Sequence, residues 1–289
     1  MTPISKLIGV QSAMIGALAL LLGTAVKAEE APSRIVSVGG AVTEIVYALG
    51  EENRLVARDT TSNYPAEALA LPDVGYIRRL SPEGVLSVNP DFILAEEGSG
   101  PPEAMDLLRE ASIGITEVPG GFTREAIGAR IETVAEVLDV PDKGAALAAK
   151  VDAEIAAALF SVTGDHQPKV IFVLSAAGGR VMVGGANTSA DAIISLAGGE
   201  NVATAFDGFK PMTEEAIVTS EADVILMMSR TGDHSLTDAD ILAHPALGQT
   251  PAAQAGAVVR MDGMLLLGFS VRTGEAIATL AKSLADVSG

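Results

Sequence analysis

The chain has 289 residues, with 19 basic and 37 acidic side chains, no cysteine and no tryptophan. Its formal charge of −18 argues against nucleic acid and anionic lipid surfaces as partners, and the missing cysteine excludes disulfides, thiol catalysis and lipid attachment through sulfur. A chain of this length must therefore be held by its own apolar core, one large or two medium.

Lys6 opens a positively charged start, Leu7 to Val26 is apolar apart from Gln11, Ser12 and Thr24, and Val26-Lys27-Ala28 ends on a small residue. Residues 1–28 thus read as a signal peptide removed on export. A retained anchor is the competing reading, since about 20 apolar residues can span a bilayer, but Lys27 and Ala28 favour cleavage. Taking away Lys6 and Lys27 leaves 17 basic against 37 acidic residues, a formal charge of −20. No later segment is apolar enough to cross a membrane. The expectation is a freely soluble, monomeric protein of a Gram-negative periplasm.

Beyond the leader, β-branched apolar runs alternate with amphipathic stretches, the pattern of parallel strands joined by crossover helices. Candidate strands in chain order are 34–38, 55–57, 92–95, 115–118, 170–174, 224–228 and 258–261. Helix-like segments between them include 43–49, 82–88, 102–110, 124–138, 142–160, 190–197 and 214–220. The fold class is α/β.

An internal repeat divides the chain into two similar lobes. SPEGVLSVNPDFIL (Ser81–Leu94) matches TEEAIVTSEADVIL (Thr213–Leu226), with Glu83 eight residues before Asp91 and Glu215 eight before Asp223. GGAVTEIVYALGEEN (Gly39–Asn53) resembles GGANTSADAIISLAGGEN (Gly184–Asn201) in the same order. Between the halves, Asp142–Phe160 is alanine-rich and free of proline, which favours one continuous helix about 28 Å long. The reading is an N-terminal lobe over 33–141, a bridging helix over 142–162 and a C-terminal lobe over 168–286.

Two lobes with parallel sheets, one long bridging helix and paired acidic helices resemble the class III periplasmic binding proteins that serve importers of vitamin B12, siderophores and haem. The resemblance covers residues 33–286. RDTTSNYP (Arg58–Pro65), LPDVGYIRRLSPEGVLSVNPD (Leu71–Asp91), MMSRTGDHSL (Met227–Leu236) and MDGMLLLGFSVRT (Met261–Thr273) are similar to its haem-binding, HmuT-type branch. In that branch the tyrosine of the TS-x-YP segment is an axial ligand of ferric haem, which the resemblance places at Tyr64. A phenolate is a hard anionic donor suited to Fe(III). Its ordinary pKa near 10 means that the metal and a nearby cation must favour the anion. Arg78 and Arg230 are candidates for that cation. Arg78, Arg79 and Arg230 are equally candidates for pairing with the haem propionates, since a guanidinium matches a carboxylate bidentately.

Some members of the branch add a histidine from the segment corresponding to Ser175–Val183, but SAAGGRVMV holds none, so the resemblance implies tyrosinate as the single protein ligand. His234, four residues after Arg230, is the alternative second ligand; His166 and His244 read as surface turns. Tyr47 falls on an apolar helix stripe and reads as core, and Tyr76 either flanks the cleft or packs. The resemblance also assigns Glu83 and Glu215, one per lobe, to docking on a dimeric ABC transporter permease, where like-charged groups on separate lobes set register; Glu214 leaves the second position open by one.

No enzyme motif is present. Gly268-Phe269-Ser270-Val271-Arg272 lacks the last glycine of a nucleophile elbow, and no G-x-G-x-x-G follows the first strand. A siderophore or cobalamin is the alternative cargo, and an exported enzyme without a recognisable motif is a remote one. Siderophore and cobalamin sites call for several aromatics, whereas this chain has three tyrosines and no tryptophan.

Overall fold

A computed structural model describes residues 31–162, 167–176, 179–229 and 236–288. The leader, His166, Arg230 and His234 lie outside the described residues.

The first lobe runs β1 (Ile35–Val38), α1 (Gly40–Ala48), β2 (Leu55–Arg58), α2 (Pro82–Leu86), β3 (Phe92–Glu96), α3 (Pro102–Glu110), β4 (Gly114–Val118) and α4 (Arg124–Val137). Helix α5 (Pro141–Ser161) follows. The second lobe runs β5 (Lys169–Ser175), β6 (Val181–Gly184), α6 (Ser189–Leu196), β7 (Glu200–Asn201), β8 (Phe209–Met212), α7 (Glu214–Thr219) and β9 (Val224–Met228). It ends with α8 (Asp238–Ala243), α9 (Pro251–Ala255), β10 (Val258–Met261), α10 (Gly263–Leu267) and α11 (Thr273–Ser288).

Each apolar run read from the sequence forms a strand to within one residue at either end. The first sheet has the order β2-β1-β3-β4 and is parallel throughout. The second has the order β10-β9-β5-β6-β8, with β7 beside β5. Its centre is parallel, but β6 runs antiparallel to both β5 and β8. Apolar patterning does not reveal this pair. β8 is mostly exposed and carries Pro211 opposite Met182, a residue tolerated only at a sheet edge.

The repeat has a physical basis. Ser81 and Thr213 cap α2 and α7 by accepting the backbone N–H of Gly84 and Ala216. Asp91 accepts the backbone N–H groups of Ser33 and Arg34, each at 3.0 Å, just ahead of β1. Asp223 accepts that of Lys169 at 2.9 Å, at the start of β5. Each aspartate thus ties the helix–strand unit of its lobe to that lobe's central strand.

Helix α5 is 21 residues long, about 32 Å at 1.5 Å per residue. Pro141 occupies its first turn, where a missing N–H costs nothing. Gly144, Val151, Ile155 and Ala158 are buried, with α4 packed on one side and α11 on the other. A Cβ on Gly144 would stand 2.3 Å from that of Ala135, and one on Gly274 would stand 3.0 Å from the backbone of Glu154, so two glycines set how closely α4 and α11 approach α5. Burying Val151 and Ile155 contributes about 1.5–3 kcal/mol each. The resulting apolar core is continuous from α1 and α4, through α5, to α6 and α11.

A second tie between the lobes is polar. Arg130 of α4 is 1% exposed and among the largest fully buried side chains. It donates to the carbonyl oxygens of Pro119 at 2.9 Å and Gly121 at 3.4 Å in its own lobe, and of Gly268 at 3.2 Å and Phe269 at 2.6 Å in the other. The Phe269 ring packs on Phe122 with centroids 5.0 Å apart. Arg130→Ala is expected to destabilise the protein by about 3–5 kcal/mol, because several buried carbonyls lose their donor at once; the urea unfolding midpoint checks this, and a change within error would show that the tie is dispensable.

Candidate functional site

Parallel α/β sheets expose loop backbone and helix starts at the carboxyl ends of their strands, where ligands bind. A cavity of about 600 Å³ opens there, between the two sheets, within the size range of ligand pockets. Gly40 follows β1, Thr61 and Asn63 follow β2, and Glu96 ends β3. From the other lobe come Leu174 of β5, Met228 and Ser229 at the end of β9, and Asp262 to Met264 after β10. Met264 reaches across to Gly40, where an added Cβ would lie 2.9 Å from its Sδ.

The loop leaving β2 is fixed by one carboxyl. Asp59 is fully buried and receives four donors: the backbone N–H of Gly39 at 2.9 Å, the Ser62 hydroxyl at 2.6 Å, and the Thr61 N–H and hydroxyl at 2.9 and 2.7 Å. Arg58 braces the same turn by donating to the carbonyls of Asp59 and Ala68 and to the Asp73 carboxylate. Aspartate, threonine and serine of the DTTSNYP segment are therefore spent holding the backbone. Tyr64 is left to project, 45% exposed. It directly follows the lining residue Asn63 but does not itself line the cavity.

Among the described residues Tyr64 has one close cationic neighbour. The guanidinium carbon of Arg272 lies 3.6 Å from the centre of its ring, a stacked cation–π contact. Arg272 belongs to the second lobe and Tyr64 to the first, so the contact closes across the cleft. Behind it stands Glu44 of α1, 2% exposed. Glu44 accepts from Arg272 Nε at 3.1 Å and from Arg272 Nη2, and its Oε2 also accepts from the Ser270 hydroxyl. Burial pushes the Glu44 carboxyl above the ordinary carboxylate range, against the lowering effect of the Arg272 and Ser270 hydrogen bonds. Burial also weighs against the Arg272 charge, but Glu44, Asp262 and Tyr64 outweigh it and hold the guanidinium above its usual value.

The structure brings together only part of the residue set read from the sequence. Arg78 lines the cavity and donates to the Gly98 carbonyl, while Arg79 is exposed. Tyr76 lines the cavity at 44% exposure, and Tyr47 packs against the core. His244 is half-buried and caps a turn by accepting the N–H groups of Ala246 and Leu247. Glu83 and Glu215 are exposed in the first turns of α2 and α7. Arg272, Glu44 and Glu96 were not singled out in the sequence. Arg272 stood within the MDGMLLLGFSVRT segment, and the one available signal for Glu44 was a carboxylate set in the apolar stripe of GAVTEIVYA.

A cleft between two parallel-sheet lobes, rigidly bridged and lined from both sides, defines a binding protein that holds its ligand between lobes. The model of the periplasmic binding protein family matches residues 35–265, and the chain belongs to that family. It is similar to the solved periplasmic haem-binding protein BhuT in complex with two haems, at 39% identity, covering 89% of this chain and 99% of that one, with a TM-score of 0.84. The periplasmic haem-binding protein RhuT from Roseiflexus sp. RS-1 in its apo form is 35% identical over the same shares, with a TM-score of 0.85. A vitamin B12-binding protein of Vibrio parahaemolyticus is 26% identical over 222 residues, covering 76% of this chain and 78% of that protein. These relatives are named as binding proteins.

Glu44→Ala would leave the Arg272 charge buried without its partner. It is expected to cost about 3–5 kcal/mol in urea unfolding, as for a broken buried pair; a loss below about 1 kcal/mol would mean that the guanidinium is adequately solvated on its own.

Proposed function

We propose that the chain captures ferric haem in the interlobe cleft, with the Tyr64 phenolate on the iron, and delivers it to the permease of an ABC transporter. The observation that carries the reading is Tyr64 itself: an exposed phenol on a rigid turn, stacked on a guanidinium held above its usual pKa. The guanidinium sets a positive charge beside the ring, and the phenolate is the form that binds Fe(III). Arg272 thereby takes the supporting role for which Arg78 and Arg230 were the candidates in the sequence. Arg78, with Arg79 and Arg230, is assigned to the propionates, and His234 is retained as the alternative second ligand. The similarity to haem-binding proteins at 39% and 35% identity supports the cargo.

The test is a titration of the mature protein with haemin and, separately, with cyanocobalamin, followed by visible absorption. Haemin is expected to give a saturable spectrum with a phenolate-to-iron charge-transfer band, and Tyr64→Phe to lose that band with at least a tenfold fall in affinity. Saturable binding of cyanocobalamin and none of haemin would overturn the assignment in favour of the vitamin.

The same reading includes export to the periplasm with loss of residues 1–28, a soluble monomer, and docking of Glu83 and Glu215 on basic pockets of the permease. Both carboxylates are exposed and both sit at helix N-termini, on the two copies of the repeated unit. Reversal of both charges, Glu83→Lys with Glu215→Lys, is expected to abolish haem-dependent growth while leaving the haemin titration unchanged. Normal growth of the double variant would remove these residues from the docking surface.

A further inference from the structure

Glu96 is the one carboxyl of the first lobe that lines the cavity, and it sits there unlike any other acid nearby. Its Oε2 lies so close over the β1–α1 turn that a Cβ on Gly39 would stand 2.5 Å from it. Among the described residues no hydrogen-bond donor reaches its carboxyl and no cation forms an ion pair with it, although two arginines are near. Arg130 is committed to four carbonyl oxygens and Arg78 to that of Gly98. The buried Asp59 carboxyl faces it from the loop after β2, already saturated with four donors. Asp262 of the other lobe lines the same cavity. Its neighbour Glu97 turns away to accept the Gly120 N–H at 2.8 Å, and the Arg272 charge is taken up by Glu44.

A half-buried carboxyl with no donor and two acids around it is the unstable partner when an anion enters the same cavity. Two carboxylates at close range repel in a desolvated site, whereas an acid and a carboxylate form a strong charge-assisted hydrogen bond. We propose that Glu96 is a specificity-determining residue of the cleft, which takes one proton from solvent when cargo binds and donates the resulting O–H to a carboxylate of that cargo. The inference rests on the haem reading above and names the propionate as the group recognised. Burial raises the Glu96 pKa, with Asp59 adding to the rise and Arg130 and Arg78 opposing it, which lowers the cost of taking that proton. The sign follows: binding is fully supported while Glu96 is protonated, and weakens as pH rises through its raised value.

The experiment measures haemin affinity across about pH 6 to 9 for the wild-type chain, Glu96→Gln and Glu96→Ala. Comparison within the set cancels every pH effect that the three proteins share, those of haemin included. The wild-type affinity relative to Glu96→Gln is expected to fall by up to tenfold per pH unit on the alkaline side. Glu96→Ala, which has no donor, is expected to bind about tenfold more weakly than Glu96→Gln at every pH. All three should keep the phenolate-to-iron band. A wild-type to Glu96→Gln ratio that stays flat across the range, with that band present, overturns the role of Glu96 and leaves the haem reading standing. Absence of saturable haemin binding by the wild type overturns the haem reading and this inference with it. Should Glu96→Gln fail to fold, the ratio against Glu96→Ala carries the same pH test.

Discussion

The buried pair of Glu44 and Arg272 is the constraint on which the site depends. Glu44 lies in the first helix and Arg272 just before the last, 228 residues apart, and their meeting fixes the second lobe against the first at the mouth of the cleft. Ion pairs of this kind contribute little net stability when weighed against an apolar alternative, because desolvation consumes most of the attraction. What the pair supplies is position. It holds a guanidinium over the Tyr64 ring, and it does so from a carboxylate that is almost wholly withdrawn from solvent.

Around that pair the molecule is built to resist opening. Arg130 reaches from α4 into the carbonyls of residues 268 and 269, the latter three residues before Arg272, while α5 packs between α4 and α11 at glycine-limited distance. The segment that carries Arg272 is thus tied to the first lobe by two arginines of opposite origin, Arg130 fully buried and Arg272 partly so. A cleft with this bracing retains its shape better than one hinged on a flexible linker, and it places cationic and acidic side chains at set depths: Arg272 against the projecting phenol, Glu96 and Arg78 lining the cavity.

Much of this was legible in the sequence, and the remainder was hidden for identifiable reasons. The central strands are continuous β-branched runs buried on both faces, so their positions follow from apolarity alone. The duplication was visible because Asp91 and Asp223 perform the same task, capping the first strand of their lobes. Tyr64 stood out through the motif around it, whose Asp59, Thr61 and Ser62 turn out to be the scaffold of the turn. By contrast β6 and β8 carry no apolar alternation, and β8 depends on edge placement to accommodate Pro211. Glu44, Arg130 and Arg272 were not legible, since a buried charge is interpretable only with its partners, and each of these three has a partner in the other lobe.

Resonance Raman spectroscopy of the haemin-loaded protein, excited within its visible charge-transfer absorption, tests the central claim most directly. Enhanced phenolate ring modes that vanish in Tyr64→Phe and shift in Arg272→Ala are the predicted result. A haemin complex showing no phenolate modes, or phenolate modes that persist in Tyr64→Phe, would contradict the account.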